Sequence, residues 1–136
     1  MKFFFDNCTS PVLASTFHGF VSHYGHAAVH IKDLPCGRDA PDVEWIRMLG
    51  TDEALWVIIT GDDRIRRNRA EQTAFRVARL RGFVLHPSYN KTPMHEAASF
   101  LLWRWQGMKD LMELVEDVWL FELPMNRRAR MRQLSV

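Results

Sequence analysis

Apolar residues fall along this chain in short unbroken runs, separated by longer stretches with helical spacing. Residues 3–5, three phenylalanines, form a continuous apolar run that suits a short strand buried on both faces. Ser10-Pro11 then starts a helix, with serine as N-cap and proline in the first turn, and Val12, Leu13, Phe17 and Phe20 give it an apolar stripe that stops before Gly25. Residues 27–31 (AAVHI) predict a second strand, and Pro41 opens a second helix through Val43, Ile46 and Gly50. Residues 54–60 (ALWVIIT) are the strongest strand signal, apolar and rich in β-branched residues, and Gly61 ends them. A basic helical stretch over 64–82 is expected to close at Gly82 and lead into a fourth strand at 83–85. Thr92-Pro93 opens a long helix, with a break or bend expected at Gly107, and residues 118–123 (VWLFEL) predict a fifth strand.

Strict alternation of strand and helix predicts parallel strands joined by right-handed crossovers. The expected fold class is α/β, a three-layer α/β/α sandwich around a parallel sheet of about five strands, with 3-2-1-4-5 as the expected strand order. At 136 residues, a single domain over 1–124 is expected, followed by a basic C-terminal tail over 125–136.

Charge sharpens this division. The tail holds Arg127, Arg128, Arg130 and Arg132 and no acid, which leaves 14 basic against 16 acidic residues in the body. An acidic body with a basic tail suits a polyanion or an acidic partner, or else a solvated end. Cys8 and Cys36 do not make a disulfide framework and read as reduced thiols, which with no secretory leader pattern points to a cytoplasmic protein. No apolar run approaches the roughly 18 residues that a membrane span needs. Trp103 and Trp105 fall on different sides of one helix, so at least one belongs to the core.

The chemistry lies in the acids. In an open parallel sheet the functional crevice lies beyond the carboxyl ends of the strands. Asp6 follows the first strand, Asp62 and Asp63 follow the third, and Asp42 and Glu44 open the helix between the second and third strands. Three separate segments therefore bring carboxylates to one sheet edge. Carboxylates so placed repel one another unless a cation neutralises them, and an all-oxygen donor set suits Mg²⁺ or Mn²⁺. Each acid also has a local explanation: Asp42 and Glu44 complement a helix dipole, Asp63 suits a helix N-cap, and Asp6 suits a turn. Arg64, Arg66, Arg67 and Arg69 would hold a nucleic-acid backbone near the metal.

The opening FFFDNCTSPVLASTF resembles the D-x-N-x-S-P start of a PIN-like subgroup, PDVEWI resembles its D-x-E-I helix start, and VIITGDDRI resembles its I-T-x-D motif. Over residues 2–123 the chain thus resembles the PIN-like ribonucleases, the VapC-type toxins of toxin–antitoxin pairs. The resemblance implies a Mg²⁺- or Mn²⁺-dependent endoribonuclease in which Asp6, Asp42 and Asp62 are the metal-binding acids and Asp63 is a fourth candidate. It matches Thr60 to the family's hydroxyl beside the site and Asn7 to the asparagine after the first acid. Arg64, Arg66 and Arg67 join them as substrate-binding candidates. It implies RNA as substrate, tRNA being one candidate, a cognate antitoxin as inhibitor, and a homodimer. One departure is that the late acids of the family's full quartet are not visible.

The alternative is a non-catalytic PIN-like module that binds RNA or protein, and a DNA-directed nuclease would use the same acids. Two other Asp-based α/β families fit poorly. A haloacid-dehalogenase-type phosphatase needs an acid where Cys8 stands, and a response-regulator receiver needs an acidic pair where Asp6-Asn7 stand and a lysine where Pro124-Met125 follow the last strand. His23, His26 and His30 straddle a helix end, a turn and a strand, a poor arrangement for zinc. Cys8 has no histidine at a spacing that would suit a catalytic nucleophile.

Overall fold

The computed structural model describes residues 1–62 and 64–136, with Arg64 described in its backbone alone. Its strands are β1 (Lys2–Phe5), β2 (Ala27–His30), β3 (Trp56–Thr60), β4 (Arg81–Leu85), β5 (Trp119–Leu123) and β6 (Arg132–Leu134). Its α-helices are α1 (Pro11–Val21), α2 (Asp42–Thr51), α3 (Arg69–Val77), α4 (Met94–Trp103) and α5 (Trp105–Leu114). The result is the expected α/β architecture, a mostly parallel sheet covered on both faces. None of the described helices is long and apolar enough to cross a membrane.

Local chemistry sets the helix ends. The Ser10 hydroxyl accepts from the Val12 amide and Pro11 occupies the first turn of α1. A 3-10 turn carries the chain on to Gly25, whose φ of 83° reverses it into β2. The Asn68 side chain caps α3 by accepting from the Glu71 amide. The basic stretch is therefore divided: Arg64–Arg66 form a 3-10 turn, and α3 starts only after the cap.

The sheet order is β2-β1-β3-β4-β5-β6, which replaces the expected 3-2-1-4-5. Burial explains the correction. Every residue of β3 is buried, so it belongs inside the sheet, while β2 alternates buried and half-buried residues and lies at an edge. β1 pairs in parallel with both β2 and β3, with Phe5 opposite His30 on one side and Ile59 on the other. β6, which the sequence pattern did not predict, returns antiparallel to β5 from within the basic C-terminal segment.

Alternation along the strands divides the core. Phe3 and Phe5 pack with Val57, Ile59 and Phe83 beneath α1, α4 and α5. Phe4 packs with Ile58, Trp45, Phe75 and Leu134 on the face covered by α2 and α3. The β4-to-β5 connection thus lies on the opposite face from the β3-to-β4 connection, although both step in the same direction across the sheet. Its hand is opposite, and uniformly right-handed crossovers are not observed. The physical gain is cover: α1 shields one side of that face, and α4 and α5 bury Phe83, Trp119 and Phe121 on the rest.

Two glycines act differently from expectation. Gly82 lies inside β4, where an added Cβ would come within 3.0 Å of Leu120 and 3.3 Å of the Ile58 carbonyl, so it permits close packing and does not close a helix. The long C-terminal helix breaks at Arg104, whereas Gly107 lies within α5. Trp105 is buried against Phe3 and Phe17, while Trp103 is 48% exposed.

Candidate active site

The switch point of this sheet lies between β1 and β3, where the connection on one side of β1 runs to β2 and the next returns to β3. Strand periodicity aims the side chains there. Asp6 continues the even-numbered series of Phe4, and Thr60 continues that of Trp56 and Ile58, so both face the layer formed by α2 and α3. The first turns of those helices bring Asp42 and Glu71 to the same place. Asp6, Asp42, Asp62 and Glu71 line one small cavity with Trp45, Thr60 and Ile65.

Each acid has a defined support. Asp6 is 7% exposed, and its Oδ1 accepts from the Cys8 amide at 3.1 Å. Its Oδ2 accepts from the Thr60 hydroxyl. The same hydroxyl oxygen accepts from the Asp62 amide at 3.1 Å, so Thr60 ties the loop after β3 to the carboxylate after β1. Asp62 Oδ2 also accepts from the Cys8 thiol at 3.7 Å. The Trp45 indole donates to Asp42 Oδ1 at 2.9 Å and orients that carboxylate in the first turn of α2.

Burial raises the pKa of Asp6 from 3.8 to about 6. The Thr60 and Cys8 hydrogen bonds oppose the rise, and the nearby charges of Asp42 and Asp62 add to it. The first turns of α2 and α3 favour negative charge at this edge. The cavity measures about 10 Å³, roughly the space of one water or one ion. A larger groove of about 730 Å³ lies between α2 and α3, with Val43, Ala74 and Val77 in its lining and none of these acids among its lining residues.

The sequence-derived set is only partly assembled here. Asp6, Asp42, Asp62 and Thr60 come together. Asn7 is exposed and donates from Nδ2 to the Arg38 carbonyl, away from the cavity lining. Glu44 is exposed and does not line the cavity. Arg66 is half-buried, with its carbonyl accepting from Gln72, and Arg67 is exposed; neither lines the cavity. Asp63 and the Arg64 side chain lie outside the described residues. The residue that sequence reasoning missed is Glu71, 9% exposed and part of the lining. Its signal was the Asn68-Arg69-Ala70-Glu71 capping pattern, which places an acid in a first turn directly after β3.

For a divalent cation the donors fit in type and the cavity fits in size. Among the described residues, however, no three His, Cys, Asp or Glu side chains converge as a ready-made ligand set. Thr60 and Cys8 hydrogen-bond the Asp6 carboxylate, and Trp45 that of Asp42.

No curated protein and no solved structure gives a significant match to the chain. A family model described as a PIN like domain matches residues 1–87 of the 136, the part that carries Asp6, Asp42, Asp62 and Glu71. PIN-like domains form a superfamily of nucleases, and on this match and this fold the chain belongs to the PIN-like domain family.

Proposed function

We propose that the protein is a metal-dependent endoribonuclease of the VapC type, with its site at the β1/β3 switch point. The observation that carries this reading is the meeting of Asp6, Asp42 and Asp62, from three separate segments, around one ion-sized cavity that Glu71 also lines. Asp6, Asp42 and Asp62 would hold Mg²⁺ or Mn²⁺, and Glu71 lines the same cavity as a further acid. A bound ion would supply positive charge for a water nucleophile and for the phosphodiester oxygens as charge builds on them. Thr60 keeps Asp6 and Asp62 in register, and Trp45 orients Asp42. Arg66 and Arg67 follow β3 near the same sheet edge and would hold the RNA backbone. The cavity is too small for a base, so RNA would lie across its mouth. A cognate antitoxin that covers this edge, a homodimer and a cytoplasmic location complete the proposal.

The test is cleavage of total cellular RNA with Mn²⁺, Mg²⁺ or EDTA, beside Asp6→Asn. Metal-dependent cleavage should be lost in the variant, with its circular dichroism unchanged. Cleavage by Asp6→Asn that remains EDTA-sensitive would remove Asp6 from the site. The binding-module alternative makes the opposite prediction for metal. The nuclease should gain about 2.7 kcal/mol of stability at Mn²⁺ a hundredfold above its Kd, and the module little.

A further inference from the structure

We propose that the loop after β5, together with Trp103, forms a second anchoring surface for a single-stranded stretch of RNA, on the α4/α5 side of the sheet and away from the carboxylate cavity. The choice of RNA rests on the nuclease reading; the surface itself rests on separate observations. Arg127, Arg128 and Arg130 are exposed in a segment with no acid from Pro124 to Val136. Among the described residues none of the three is ion-paired, whereas Arg132 pairs with Glu122 in the strands.

This segment is not a frayed end. Arg104, at the α4–α5 break and 8% exposed, donates to the carbonyls of Asn126 and Ala129. The Asn126 side chain accepts from the Arg128 amide at 2.8 Å, and β6 ties down the far end. Gly107 leaves room on α5 for Met131, whose Cε an added Cβ would meet at 3.2 Å. The arginines therefore project from a fixed loop, so little backbone ordering entropy remains to be lost when they bind, and only their own rotamer freedom is given up.

Beside them stands the half-exposed Trp103 indole. The Arg104 guanidinium lies 5.2 Å and that of Arg127 5.8 Å from its ring centre, and Arg127 is also 5.9 Å from the Phe100 ring. Next to the loop is a cleft of about 430 Å³, with Leu111, Leu114 and Phe121 among its walls and the three arginines at its margin. Asp110 is one acid on that margin, held by Gln106. A half-exposed indole beside the exposed guanidinium groups of Arg127, Arg128 and Arg130 matches a strand that offers flat bases and phosphates together. An acidic peptide would use the charges but offer no flat group to the exposed part of the indole.

The test is fluorescence anisotropy of a labelled 20-nucleotide oligouridylate in EDTA, where binding is read without cleavage. Arg127→Ala/Arg128→Ala/Arg130→Ala should weaken binding at least tenfold and lower the logarithmic salt dependence by about 2, at about 0.7 per lost phosphate contact. Trp103→Ala should weaken it about tenfold, and Trp103→Phe should keep most of the affinity. Unchanged melting temperatures should show that the variants fold. Equal affinity across all variants would overturn the surface even if the parent cleaves RNA. Polyglutamate that binds as tightly, with the same losses, would overturn RNA in favour of an acidic protein. Patch-dependent RNA binding by a parent that cleaves nothing would sustain this inference while the nuclease reading falls.

Discussion

Thr60 is the smallest side chain at the carboxylate cavity and joins the most parts: through one hydroxyl it connects Asp6 to the backbone of Asp62. Asp6 needs that support because it is buried beside two other acids. The consequence is a pH dependence of stability in the metal-free protein. The folded state binds the Asp6 proton more tightly than the unfolded chain does, so stability from this group is full below about pH 4 and is lost as pH rises through about 6. The loss amounts to about 3 kcal/mol, and in Asp6→Asn it should be absent. Urea denaturation in EDTA between pH 4 and 7 measures both; a flat profile for the parent would contradict this account of Asp6. At this scale much was legible. Asp6, Asp42, Asp62 and Thr60 could be read because strand ends and helix starts carry them to one edge. Glu71 escaped because a capping acid and a site acid look alike in sequence, and only the packing of α3 against the sheet separates them. Asn7 was misleading for a related reason: it is next to a site residue in sequence, but the turn after β1 directs its side chain to Arg38.

Among the elements, the turn after β3 lies very close to the turn after β1. An added Cβ at Gly61 would lie 2.6 Å from the Cys8 carbonyl, which belongs to the turn after β1. A backbone atom cannot move aside as a flexible side chain can, so the two turns would separate. Gly61→Ala should cost about 1–3 kcal/mol and weaken the proposed cleavage by shifting Asp62 away from Asp6. A lower urea midpoint at constant m-value, together with reduced turnover, checks it. Helix starts were readable because Ser10, Pro11 and Pro41 are explicit signals. Helix ends were harder. Gly82 and Gly107 look like stop signals, yet one serves close strand packing and the other makes room for Met131. The break at Arg104 has no such signal; the side chain there binds carbonyls of the loop after β5.

The whole molecule shows why strand order was the least legible feature. Local pattern gives the number and direction of strands, but order depends on which faces must be covered. One clue was present: ALWVIIT is too apolar for an edge, and β3 is indeed interior. β6 is short and polar, with Leu134 as its one buried residue, so nothing in its pattern announced a strand. The interior position of β3 has a further consequence, in time. Asp6 and Thr60 are 54 residues apart in the chain, and the pairing of β1 with β3 is what brings them together. Closing such a long loop is slow beside the formation of single helices. During refolding, helical signal should return first, and the proposed RNA cleavage only later, in the phase that restores the parallel sheet; stopped-flow circular dichroism set against sampled activity would separate the two. A collapsed chain with its helices already formed would thus be inert, and its chemistry would begin only once folding is nearly complete.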